Sequence, residues 1–148
     1  MTAVKMSQIT RVLIEGDPGL LARLCGQVER SYEVRTVRQP EKSLVMSKAR
    51  DSVSRQPFFM GEILVTECTV EIGEVYGFGV LMGEDAERAY QLAVVDAALH
   101  AKLPITESWT ALLFEEEQNI AQRHRKEHNQ AMKSKVNFDT MEEYNAKR

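Results

Sequence analysis

Apolar residues recur at helical spacing toward both ends of this chain and at strand spacing through its middle. Met6, Ile9, Val12 and Leu13 predict a helix over residues 2–15, which Gly16 ends in the manner of a C-terminal glycine. Asp17-Pro18 starts a second helix, since Asp is a good N-cap and Pro suits the first helical position. Leu20, Leu21, Leu24 and Val28 give it one apolar stripe, so an antiparallel helical pair opens the chain. Residues 32–37 then alternate and are rich in β-formers, which predicts a strand. Gln39-Pro40-Glu41-Lys42 reads as a turn, and residues 43–49 as a second strand with Leu44, Met46 and Val45 buried. Residues 50–57 read as a polar loop.

Two further strands, residues 61–72 and 75–82, are separated only by Gly73-Glu74. A two-residue loop with Gly first is the type II′ hairpin signature. It sets Ile72 opposite Val75, and the rest of the register follows. One face then pairs Glu71 with Tyr76, Thr69 with Phe78, Glu67 with Val80 and Val65 with Met82. The other pairs Val70 with Gly77, Cys68 with Gly79 and Thr66 with Leu81, which makes it small and nearly smooth. A smooth face suits a closely packed helix, and residues 86–102 supply one lined by Ala86, Ala89, Tyr90, Ala93, Ala97 and Ala101.

Pro104 helps to end that helix. A last helix is expected from a Thr106 N-cap to about Lys133, with Trp109, Leu112, Leu113 and Ile120 as its apolar positions. Beyond Ile120 the stripe fades into Gln122-Arg123-His124-Arg125-Lys126-Glu127-His128, which cannot bury much within one domain and either projects into solvent or lies on a partner. Val136, Phe138 and Met141 restore apolar character, so residues 134–148 are expected to form a partner-binding arm, with folding back on the same domain as the alternative. The fold class expected is α+β: an N-terminal helical pair, an antiparallel sheet of about four strands around a central β-hairpin, two C-terminal helices and a terminal arm. All 148 residues are read as a single domain.

Charge narrows the function classes. A net charge of −3 excludes a strongly basic nucleic-acid binder, although residues 23–55 are mildly basic. No apolar run reaches membrane-spanning length, and residues 1–8 lack the apolar core of a signal peptide, so a cytoplasmic location is expected. Cys25 and Cys68 lack metal spacing and are expected to be free and buried.

Four constellations carry candidate chemistry. His124-Arg125-Lys126-Glu127-His128 matches H-x-x-E-H, in which two histidines one turn apart bind zinc beside a general base. The surrounding Arg and Lys oppose a cation and no third ligand stands out, so a charged solvated or partner-facing helix is the expectation and a small metallohydrolase the alternative. Gly77-Phe78-Gly79 suggests a phosphate cradle but sits within a strand, without the spacing of a nucleotide loop, and Gly83, at the helix start, is followed by Glu84 and Asp85, which would repel phosphate. Asp96, in an apolar segment, requires a partner if buried: His100 one turn on, or another chain's Arg or backbone amide. Glu67 and Glu71 share a face and are weighed as an acid/base pair against a solvated face. No catalytic, cofactor-binding or metal-ligating residue is assigned.

Phe58-Phe59, Gly61-Glu62, Leu64-Val65-Thr66-Glu67 and Val70 together resemble the PhnG family, a subunit of the bacterial carbon–phosphorus lyase machinery. The resemblance continues through Gly77, Gly79, Gly83, Arg88-Ala89, Ala93 and Asp96-Ala97-Ala98-Leu99, and returns in the tail from Val136 to Met141. Gln56-Pro57 and Asp139 depart from the family pattern. The resemblance implies an accessory subunit that works with PhnI-like, PhnH-like and PhnJ-like subunits. Their complex transfers methylphosphonate to the ribose C1 of ATP and releases adenine, in the catabolism of organic phosphonates. It implies an enzyme only as part of that multi-subunit transferase. ATP is the complex's co-substrate, and no cofactor is held by this chain. The nucleosidase-like chemistry is implied for the PhnI-type subunit. A non-enzymatic, self-associating binding module is the remaining alternative.

Overall fold

The computed structural model describes residues 5–136. In chain order these form α1 (Met6–Glu15), α2 (Pro18–Ser31), β1 (Arg35–Arg50), β2 (Pro57–Ile72), β3 (Val75–Met82), α3 (Ala86–His100), a 3-10 turn (Pro104–Ser108) and α4 (Trp109–Lys133). The expected arm falls mostly on residues 137–148, outside the described residues.

The helix starts follow the capping chemistry. Asp17 accepts a hydrogen bond from the Gly19 amide at 3.0 Å, with Pro18 at the first helical position. Asp85 accepts from the Arg88 amide at 3.0 Å. Thr106 does not cap α4: its hydroxyl donates to the Leu103 carbonyl within the 3-10 turn, and α4 starts three residues later, at Trp109. Gly16 ends α1 with φ −78°, not in the left-handed conformation. Its role is room, because a Cβ there would lie 2.7 Å from the Glu116 Cγ of α4.

The sheet is antiparallel, in the order β1-β2-β3. The expected four strands become three, because the Gln39-Pro40 turn does not form. β1 runs straight through it with register shifts between Thr36 and Arg38 and between Arg38 and Glu41. Proline lacks only an N–H, and an edge strand at an irregularity does not need one there. Tyr32 closes α2 and is not part of a strand. β2 starts at Pro57, four residues earlier than expected, so Phe58, Phe59 and Met60 belong to it.

The hairpin register is the one expected, from Ile72 opposite Val75 to Val65 opposite Met82. Gly73 has φ +64° and Glu74 does not have positive φ, as a type II′ turn requires. The smooth face takes α3 in close contact. A Cβ on Gly77 would lie 2.2 Å from the Ala93 carbonyl oxygen, and one on Gly79 would lie 1.9 Å from that of Ala89. Thr66, the buried polar residue of this face, fixes where the helix begins. Its hydroxyl donates to the Gly83 carbonyl at 2.7 Å and accepts from the Asp85 amide at 3.2 Å.

The core lies between the helices and this face, around Leu21, Leu24, Val28, Val70, Val94 and Trp109. The Trp109 indole donates to Gln27 at 2.9 Å, which satisfies its one polar atom. α2 packs on α3, and α1 packs on α4. The C-terminal carbonyls of α1 are held from two sides: Arg88 donates to Ile14 at 2.8 Å and Arg123 to Glu15 at 2.7 Å. Both arginines place a cation at the negative end of the helix.

Candidate functional site

β3 pairs with β2 only over residues 65–72, so residues 57–64 of β2 and their β1 partners extend past the sheet as a two-stranded ribbon. At about 3.3 Å per residue the ribbon reaches roughly 25 Å beyond the last β3 pair. α3 turns back over β3 and leaves the ribbon uncovered. The expected burial of Leu44, Met46 and Val45 is therefore wrong: they are 58%, 56% and 47% exposed. Phe58, Phe59 and Met60 are also exposed. The outer sheet face continues the Val45, Phe58 and Ile63 side of the ribbon through Tyr76, Phe78, Val80 and Met82. A contiguous apolar surface of this kind marks an interaction site.

A charged column runs beside it. Arg35 pairs with Glu71, and Arg38 pairs with both Glu41 and Glu67, the last at 3.0 Å. Glu67 and Glu71 thus share a face as expected, but each is held by its own arginine. Four residues apart on one strand, they are about 13 Å apart along the backbone, too far to act on one bond. The charges at this position form a ladder across β1 and β2.

Asp96 finds a partner within its own chain. Its carboxylate accepts from the Phe78 amide at 2.9 Å and lies 3.3 Å from His100 Nδ1. Phe78 belongs to the edge strand β3, so Asp96 occupies an amide that would otherwise face an incoming strand. The close helix packing expected at Gly77 and Gly79 is present, and α3 fills the space that a phosphate cradle would need there.

His124, Glu127 and His128 lie on the exposed part of α4. His124 Nε2 is 4.0 Å from a Glu15 carboxylate oxygen. Among the described residues no three His, Cys, Asp or Glu side chains converge as a metal site would require. From Gln122 onward every described residue of α4 is exposed, as the fading stripe predicts.

The thiols are buried. Cys25 is pushed up to about 12, first by burial and then by the neighbouring Glu29 carboxylate. Burial also raises Cys68, whose Sγ donates to the Arg38 carbonyl at 3.3 Å. A thiol held protonated is a poor nucleophile. Tyr90 donates to Glu29 at 2.8 Å, and burial with that bond raises the phenol as well. A second apolar surface, a groove of about 480 Å³, opens between α1 and α4 beside Ile9, Val12, Leu113 and Phe114.

The residues that sequence reasoning missed are those of the ribbon. A partial signal for them was present: the expected strands 61–72 and 75–82 have twelve and eight residues, so the start of the longer one had no partner on the β3 side, while its extension back to Pro57 is seen only in the fold.

Comparison with known proteins adds an identification that this geometry does not contain. The family described as phosphonate metabolism protein PhnG matches residues 5–143. The PhnG subunit of alpha-D-ribose 1-methylphosphonate 5-triphosphate synthase from Rhizobium meliloti (strain 1021) is 37% identical over 89 residues, which cover 59% of this chain. The match spans 56% of that relative's length.

Proposed function

This chain belongs to the PhnG family of phosphonate metabolism proteins, and we propose that it is an accessory subunit of the carbon–phosphorus lyase core complex. The complex would join a methylphosphonate oxygen to the ribose C1 of ATP and release adenine. In this reading the chain contributes to a multi-subunit transferase, without activity of its own, and meets PhnI-like, PhnH-like and PhnJ-like subunits in the cytoplasm. No described helix is long and apolar enough to cross a membrane.

The observation that carries the subunit reading is the uncovered apolar surface of the ribbon and outer sheet face. Left in water it makes no favourable use of its hydrophobic area, and burial against a neighbour would recover about 25 cal/mol per Å². The name of the Rhizobium relative supports the choice of complex.

Co-expression with the three partner subunits, followed by size-exclusion chromatography, tests the reading. The chain should elute with them in one peak. Elution as a lone, stable monomer in their presence overturns it, as does full phosphonate transfer by an assembly made without this chain.

A further inference from the structure

We propose that the ribbon of residues 43–50 and 57–64 is an insertion arm, gripped on both faces by one cleft of a different subunit, with apolar walls and carboxylates at its floor. The proposal rests on the subunit reading above and specifies how the chain is held.

The two-sided pattern carries it. Strand alternation places Leu44, Met46 and Leu64 on the ribbon face that continues the helix-covered side of the sheet. Phe59 joins them, since it pairs with Lys48 and that ammonium lies 5.8 Å from its ring centroid. Val45, Ile63 and Phe58 stand on the opposite face. All six large side chains other than Lys48's partner are exposed, and so is Phe59 itself. A strand that docks by one side only carries polar residues on the other. This ribbon carries apolar residues on both, and a two-stranded ribbon is marginal in water without cover.

The charge pattern selects the partner. Lys48, Arg50 and Arg55 gather near the tip against one carboxylate there, Asp51. Asp51 is turned onto its own loop, accepting from the Val53 and Ser54 amides at 2.6 and 2.7 Å. The tip is therefore positive on a chain whose net charge is −3. The ribbon of a second copy carries the same cations, so a different chain with an acidic floor is the better complement.

Photo-crosslinking in the assembled complex tests the grip. Phe58 and Phe59 are replaced, one at a time, by benzoylphenylalanine in the full chain, co-expressed with the PhnI-like, PhnH-like and PhnJ-like subunits. Both positions should link to the same subunit. Capture by only one position, by two different subunits or by a second copy of this chain overturns the proposal. Co-elution with no ribbon crosslink also overturns it, while leaving the subunit reading intact. Failure to co-elute even without substitution overturns both. For the floor, Arg50→Glu combined with Arg55→Glu should weaken partner affinity about tenfold or more at unchanged melting temperature. Unchanged affinity removes the acidic floor from the proposal.

Discussion

The two halves of β2 obey one alternation and meet opposite environments. Over residues 65–72 the inward positions Thr66, Cys68, Val70 and Ile72 are closed under α3. Over residues 57–64 every position is exposed, although Phe58, Phe59, Met60, Ile63 and Leu64 make this the more apolar half. Hydrophobicity alone therefore does not decide burial. The closed half is closed because it pairs with β3, over which α3 runs, and Gly77 and Gly79 let that helix come close. The open half keeps large side chains that a partner can grip.

The comparison breaks most visibly if the flat surface is lost. Gly79→Val places a side chain where the α3 backbone already lies, and should destabilise the fold by about 3 kcal/mol through overpacking. Urea denaturation measures the change, and a shift near zero means that α3 can move aside. Asp96→Ala leaves the Phe78 amide at the sheet edge without its partner. It should lower stability by about 1.5 kcal/mol, with the melting temperature as the readout.

Alkaline pH gives a third way to weigh the closed region. The folded chain holds the Cys25 proton to about 12, against 9.0 for a free thiol. The folded pKa is raised, so this contribution is complete below pH 9.0 and is lost as pH climbs toward about 12. The denaturation midpoint should fall over that window, and Cys25→Ala should flatten the fall. A midpoint with the same slope in both proteins argues against the buried thiol as its source.

The smallest effect sharpens the contrast from the other side. Phe58→Ser together with Phe59→Ser should change the stability of the isolated chain by no more than about 0.5 kcal/mol, because exposed positions contribute little to folding. A large loss by the same denaturation measurement means that the ribbon supports the core.

Much of the closed region was legible in the sequence. Gly73-Glu74 gave a turn with one favoured geometry, and from that turn a strict two-residue period carried the register to Val65 and Met82. The alanines of α3 and the glycines of β3 each pointed to the other before their contact was known. Asp96 advertised a need for a partner, but only the folded chain brings Phe78 to it, across 18 positions of sequence. At Gln39-Pro40 the turn signal was real, yet a free sheet edge tolerated the proline and β1 continued.

What the sequence determined by itself is local: helix caps, strand period, hairpin register and a polar α4 beyond Ile120. These depend on neighbours a few residues apart, whose geometry the backbone fixes. Which half of β2 is buried was decided only in three dimensions. The link Gly83-Glu84-Asp85 is too short to carry α3 away from the end of β3, and Thr66 pins its start. The helix must run back along β3 toward Gly77. At 1.5 Å per residue it spans about 22 Å, whereas β2 extends about 53 Å. A helix of that length and direction leaves the ribbon bare, whatever its side chains prefer.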